Sequence, residues 1–166
     1  MNQSNAGSIK EWQSSGQSFD FEGQLEKYNI FYQVQGPKDA PALLLIHGYP
    51  SASWDWHLQW PTLIQHFRVI TLDMLGFGFS AKPARFSKSS SVQYSIHTQA
   101  DIFSALLRKL NIKKVHVLSH DYGDTVAQEL LARSLHKEKN AIEILSLCLL
   151  NGGLFPETHK ALLLQK

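Results

Sequence analysis

Residues 115–128 read VHVLSHDYGDTVAQ. An apolar run, VHVLS, is followed almost at once by Val126 and Ala127, which begin a pattern continued by Leu130, Leu131 and Leu135 on one side of a helix. A strand and a helix must therefore meet in a turn of very few residues. Ser119-His120-Asp121-Tyr122-Gly123 supplies it, with Ser119 and Gly123 as the small residues two positions either side of the centre. Tight strand-to-helix turns carry small residues there because a bulky Cβ would meet neighbouring backbone. Centring the pattern on Ser119 puts Val117 and Asp121 at the small positions, a poor register. The turn is centred on Asp121. An aspartate before a helix is also an ordinary N-cap, so this stretch alone leaves nucleophile and cap both open.

Working outward, ALLLI (42–46), RVITLD (68–73), KVHVLS (114–119) and ILSLCLL (144–150) are short and almost continuously apolar. Strands covered on both faces look like this. Between them, Ser95 caps an expected helix through residue 110 whose apolar positions are Ile96, Ala100, Phe103, Leu106, Leu107 and Leu110. Strands alternating with helices predict right-handed crossovers and a mostly parallel sheet. Two earlier runs alternate with period two: Phe19 and Phe21 share one face, and Tyr28, Ile30, Tyr32 and Val34 share another. They predict an antiparallel pair at the sheet edge. Residues 82–93 read as a surface loop, and residues 1–17, rich in Ser, Gln, Asn and Gly, as a flexible lead-in to one domain over 18–166.

The 166 residues suffice for one core, and 18% charged residues with a net charge of +2 and no basic stripe argue against a nucleic-acid partner. No apolar run approaches the length of a membrane span, and the polar N-terminus lacks a signal-peptide pattern. A soluble chain is expected, with the cytoplasm favoured. Cys148 is the single cysteine; inside ILSLCLL it is expected to be a buried structural thiol.

Ligands of open parallel sheets gather beyond the carboxyl ends of the strands, and three such ends carry distinctive residues. His47-Gly48-Tyr49-Pro50 follows ALLLI; Gly48 lets the backbone turn so that the Tyr49 amide can act as an oxyanion donor. DMLGFGFS (73–80) follows RVITL; its glycines complete no phosphate-binding motif, which leaves a tight loop shaping the site. The turn at Asp121 is the third. No metal or cofactor is expected; His116, His120 and Asp121 would point apart from a strand and turn.

HGYP, D-x-x-G-x-G-x-S and S-H-D-Y-G in this order resemble the N-terminal half of an α/β-hydrolase, in the epoxide hydrolase and haloalkane dehalogenase branch. The resemblance implies an α/β-hydrolase fold, cut before its lid and last strands, with Asp121 as nucleophile. His47, Gly48, Pro50, His120 and Gly123 would shape the site. An aspartate, with an ordinary pKa of about 3.9, is already an anion near neutral pH. It can open an epoxide or expel a halide at saturated carbon, giving an ester on the enzyme that activated water then hydrolyses. The amides of Tyr49 and Tyr122 would hold the oxyanion. The aromatic after HG favours a small apolar epoxide over a haloalkane as substrate.

Asp124 departs from the branch, which usually has Ala or Gly there; it suits a helix start, and it places a second carboxylate close to Asp121. The resemblance also requires a histidine base and an orienting acid. None of the eight histidines takes that place, His159 included; Glu157 is a weak acid candidate, and Asn151 occupies an alternative acid position. The 166 residues alone are therefore expected not to hydrolyse substrate. A non-catalytic binding scaffold and a serine esterase using Ser119 are the rival readings.

Overall fold

A computed structural model describes residues 7–23, 26–84 and 94–152. Expectations for 85–93 in the surface loop, and for Glu157 and His159, lie outside the described residues. Six strands form one sheet: β1 (Gln17–Glu22), β2 (Lys27–Gln35), β3 (Ala42–Ile46), β4 (Arg68–Leu72), β5 (Lys114–His120) and β6 (Glu143–Leu150). Their order is β1-β2-β4-β3-β5-β6. β2 runs antiparallel to β1 and to β4, whereas β3, β4, β5 and β6 are mutually parallel. The mostly parallel sheet with its antiparallel N-terminal edge is as the residue patterns predict.

Alternation along each strand sorts side chains to two faces. Leu44, Ile46, Ile70, Leu72, Val115 and Val117 join Tyr28, Ile30 and Tyr32 on one face. Helices α3 (Ile96–Lys109) and α4 (Tyr122–Leu135) cover it, through Phe103, Leu106, Leu107, Val126 and Leu130. The Ser95 hydroxyl accepts from the Thr98 amide and caps α3. Leu43, Leu45, Val69 and Phe31 point to the other face, where they meet Trp12, Trp56 and Trp60. These come from α1 (Ile9–Ser15), a 3-10 turn (Ser53–Trp56) and the short α2 (Trp60–Leu63).

Three expectations need correction. Part of the supposed flexible lead-in is helix α1, closed by a capping box between Ser8 and Glu11. Trp12 anchors it: its ring lies edge-on to Trp60 at 5.0 Å and its indole N–H donates to Ser53 Oγ at 3.2 Å. Cys148 is exposed rather than buried. β6 pairs only with β5 among the described residues, and only Ile144, Leu147 and Leu149 pack on the core. The register shift opposite Val115 and His116 explains the break in alternation between Ile144 and Leu147. Leu135, placed with the apolar side of α4, is 71% exposed because it lies at the helix's last residue.

Candidate functional site

The chain runs from β3 to β4 on one side and then to β5 on the other, so β3 marks the point where the strand order reverses. Sites in open parallel sheets form at such a point. The three stretches HGYP, DMLGFGFS and HDYG leave the carboxyl ends of these three adjacent strands.

Asp121 joins β5 to α4 with φ 53° and ψ −124°. A non-glycine residue at positive φ is strained by roughly 1–3 kcal/mol and persists only where its surroundings impose it. Here the Asp121 amide donates to the Leu150 carbonyl at 3.0 Å, and the Asp124 amide donates back to the Asp121 carbonyl at 3.0 Å. The side chain makes no capping hydrogen bond to the helix. It crosses to the turn after β3, where Asp121 Oδ1 accepts from the Tyr49 amide at 2.8 Å. The Asp121 side chain is therefore turned away from the helix it precedes and does not cap it.

Close approach explains the small residues. A Cβ on Gly123 would stand 2.5 Å from the His47 carbonyl oxygen, and one on Gly48 would stand 2.7 Å from Asp121 Cβ. Aromatic rings surround the carboxylate's turn. Phe77 lies 6.1 Å from Tyr49, 6.4 Å from Tyr122 and 5.4 Å from His47 between ring centroids. Tyr49 is half exposed, and burial raises the pKa of the Tyr122 hydroxyl. The Tyr49–Pro50 peptide is cis.

His47 is fully buried. Its Nδ1 is 2.9 Å from the Gly48 carbonyl, which only accepts, and its Nε2 is 3.0 Å from the Met74 amide, which only donates. A neutral ring with its proton on Nδ1 satisfies both. Burial holds its pKa below the ordinary 6.5, although the Gly48 carbonyl and the Asp73 and Asp55 carboxylates pull upward. Below pH 6.5 the unfolded chain takes up a proton that folded His47 refuses. Stability from this group is therefore complete above that pH and falls as pH drops toward the folded value. Thermal unfolding followed from about pH 7 to 5 should show a decline that is shallower in His47→Gln. An equal slope in both proteins would exclude His47 as its source.

Three acids organise the surroundings, and one of them, Asp55, has no role in the sequence reading. Asp73 is fully buried, accepting from the Ser53 amide at 2.8 Å and the Phe79 amide at 2.6 Å. Asp55 accepts from His120 Nε2 at 3.0 Å. Asp124, expected as a helix-start charge, lies in the first turn of α4, fully buried, and accepts from the Ser119 hydroxyl at 2.5 Å. Burial raises its pKa, against opposing hydrogen bonds from Ser119 and the backbone at Leu150 and Gly152, and among the described residues its Oδ2 has no hydrogen-bond partner of good geometry. Ser119 is fully buried and bound to Asp124, which argues against an esterase built on it. His116 turns to Ser146 Oγ at 2.8 Å while His120 turns to Asp55.

Residues 41–164 match the family model for the alpha/beta hydrolase fold. The mesoderm-specific transcript homolog protein of Bos taurus is 48% identical over 163 residues, covering 95% of this chain and 46% of that protein. Epoxide hydrolase 1 of Caenorhabditis elegans is 30% identical over 104 residues, 63% of this chain and 24% of its own length. Among solved structures, an alpha/beta hydrolase fold protein from Burkholderia ambifaria superposes with a TM-score of 0.66 at 32% identity, over 84% of this chain and 45% of that one. A loop variant of the haloalkane dehalogenase DbeA from Bradyrhizobium elkanii gives 0.63 at 25% identity, over 81% and 39%. The chain spans about half the length of the mesoderm-specific transcript relatives. No helix among the described residues is long and apolar enough to cross a membrane. From its motifs, its sheet and these matches, the chain belongs to the alpha/beta hydrolase fold family.

Proposed function

We propose that this chain carries the nucleophile half of a hydrolase acting on small apolar epoxides, with Asp121 forming an ester on the enzyme. The observation that carries the reading is the 2.8 Å hydrogen bond from the Tyr49 amide to Asp121 Oδ1. With Oδ1 held, Oδ2 is the oxygen free to attack. A bond forms between Oδ2 and an epoxide carbon, the carbon–oxygen bond of the ring breaks, and the freed alkoxide takes a proton from water. Water then adds to Cγ of the ester. Negative charge develops on Oδ1, where the Tyr49 amide already points, and the Tyr122 amide at the start of α4 is the second donor. One such donor is worth roughly 2.7–4 kcal/mol in a well-studied protease. Collapse releases the diol and restores the carboxylate.

The second step needs a base to take the water's proton. His47 and His120 are committed to Gly48, Met74 and Asp55, so the base is neither of them. In the family pattern none of the other six histidines takes the base's place either, so the 166 residues alone are expected to show no turnover. Tyr49 after His-Gly, and a tyrosine rather than an indole N–H at 122, favour epoxide over halide.

The test uses a chain of the relatives' full length in heavy-oxygen water, limited to one turnover. Label is expected in the Asp121 carboxylate, with the enzyme's original oxygen leaving in the diol. Turnover that leaves Asp121 unlabelled, or that survives Asp121→Ala, defeats the assignment; preferential release of halide from a haloalkane would redirect the substrate class.

A further inference from the structure

We infer that Asp55 is a positioning residue for the chemistry at Asp121, and the inference rests on that functional reading: through His120 it holds the Tyr49 amide against the Asp121 carboxylate. Asp55 lies in the 3-10 turn after HGYP, 65 residues from His120 in sequence. A carboxylate only accepts, so His120 Nε2 carries the hydrogen in the 3.0 Å contact. The same carboxylate oxygen accepts from the Ser51 hydroxyl, which also lies 3.1 Å from the Gly48 carbonyl. The Ser51 amide donates to that carbonyl too, at 3.3 Å.

Packing completes the clamp. The His120 ring lies over Gly48 so closely that a Cβ there would be 2.9 Å from its Nδ1 and Cε1. Trp56 packs against the same ring in a T-shaped contact, with ring centroids 5.3 Å apart. The 3-10 turn is itself fixed to the core, because the Ser53 amide donates to Asp73 and the Trp12 indole donates to Ser53. A closed circuit results: β5, His120, Asp55, Ser51, Gly48, Tyr49, and back to Asp121 at the end of β5. Without it, the hydrogen bond joining Tyr49 to Asp121 would be a solvent-facing contact between two turns, with little to hold its geometry. Neither Asp55 nor Ser51 contacts Asp121 in any hydrogen bond, so their action is through the turn.

Amide NMR of the 166-residue chain tests this without substrate. In Asp55→Ala, exchange at the Tyr49 amide should accelerate about tenfold, a change of ~1.4 kcal/mol, while amides of Leu44, Ile70 and Val117 in the central strands keep their protection. Asp55→Asn retains an acceptor for His120 and should restore the Tyr49 amide to its original behaviour. His120→Ala breaks the same contact from the other side and should reproduce the Asp55→Ala change. An unaltered Tyr49 amide in His120→Ala, or an Asp55→Asn protein that behaves as Asp55→Ala does, overturns the clamp even if Asp55→Ala loosens the core. A failed clamp leaves the isotope experiment on Asp121 standing, and an unlabelled Asp121 leaves the clamp without a reaction to serve.

Discussion

Gly123→Ala is expected to destabilise the fold by about 3 kcal/mol, the upper end of what overpacking usually costs. Gly to Ala inside a helix ordinarily gains up to about 1 kcal/mol, so the predicted sign is opposite to the helix rule. The reason is the identity of the obstructing atoms. The new Cβ would meet the His47 carbonyl oxygen at 2.5 Å and the Ile46 carbonyl oxygen at 2.8 Å. Ile46 ends β3 and His47 follows it directly, and β3 is hydrogen-bonded to β4 on one side and β5 on the other. Neither oxygen can give way as a flexible side chain could. Helix α4 must instead lift at its first turn, and Asp121 must follow. For a chain of this size the melting temperature should fall by roughly 6–12 °C. The Tyr49 amide should lose its hydrogen bond to Asp121 in the same protein. A Gly123→Ala variant that melts at or above the original temperature would mean that α4 is not seated against β3 as described.

The legible parts of this molecule were those written in local periodicity. The strand-turn-helix at residues 115–128, the Ser95 cap and the Tyr28-Ile30-Tyr32-Val34 face each depend on neighbours within a few residues, and each is present. Helix α1 had a local signal too, Ser8-x-x-Glu11, but a polar composition and a single buried tryptophan generate no apolar period to draw attention to it. Cys148 shows the opposite failure. An apolar run has the same appearance whether both faces are covered or one, and only the strand's place at the side of the sheet decides. Around the candidate site, Asp55 left no signal in the sequence, and Asp73 was visible only as the first residue of a loop expected to shape the site. Their partners lie 65 and 20 residues away in sequence, at His120 and Ser53, and such pairing leaves no mark in spacing.

Asp73→Ala should cost about 3–5 kcal/mol, and the loss should reach the site. The carboxylate is fully buried and each oxygen serves one backbone donor, Ser53 N–H to Oδ1 and Phe79 N–H to Oδ2. Removing it strands both donors away from water, at roughly 1–3 kcal/mol apiece, and leaves a cavity, offset in part because a charge is no longer buried. Asparagine is not a safe replacement. Its amide nitrogen would have to face one of the two N–H groups, donor against donor, so Asp73→Asn should recover only part of the stability. The Ser80 hydroxyl contributes a further tie, donating to the Asp73 carbonyl at 2.5 Å and accepting from the Phe31 amide at 2.9 Å. Gly78 leaves room for the carboxylate, since a Cβ there would sit 2.0 Å from Oδ2 at a backbone φ of +47°. Gly78→Ala should therefore evict the Asp73 side chain and copy much of the Asp73→Ala effect, with backbone strain added. Denaturant unfolding of the three variants decides the matter: two separate donors predict Asp73→Asn between the original protein and Asp73→Ala. A purely electrostatic role predicts Asp73→Asn equal to Asp73→Ala. Because Ser53 opens the turn that carries Asp55, the Tyr49 amide should also exchange faster in Asp73→Ala under conditions where the protein is still folded.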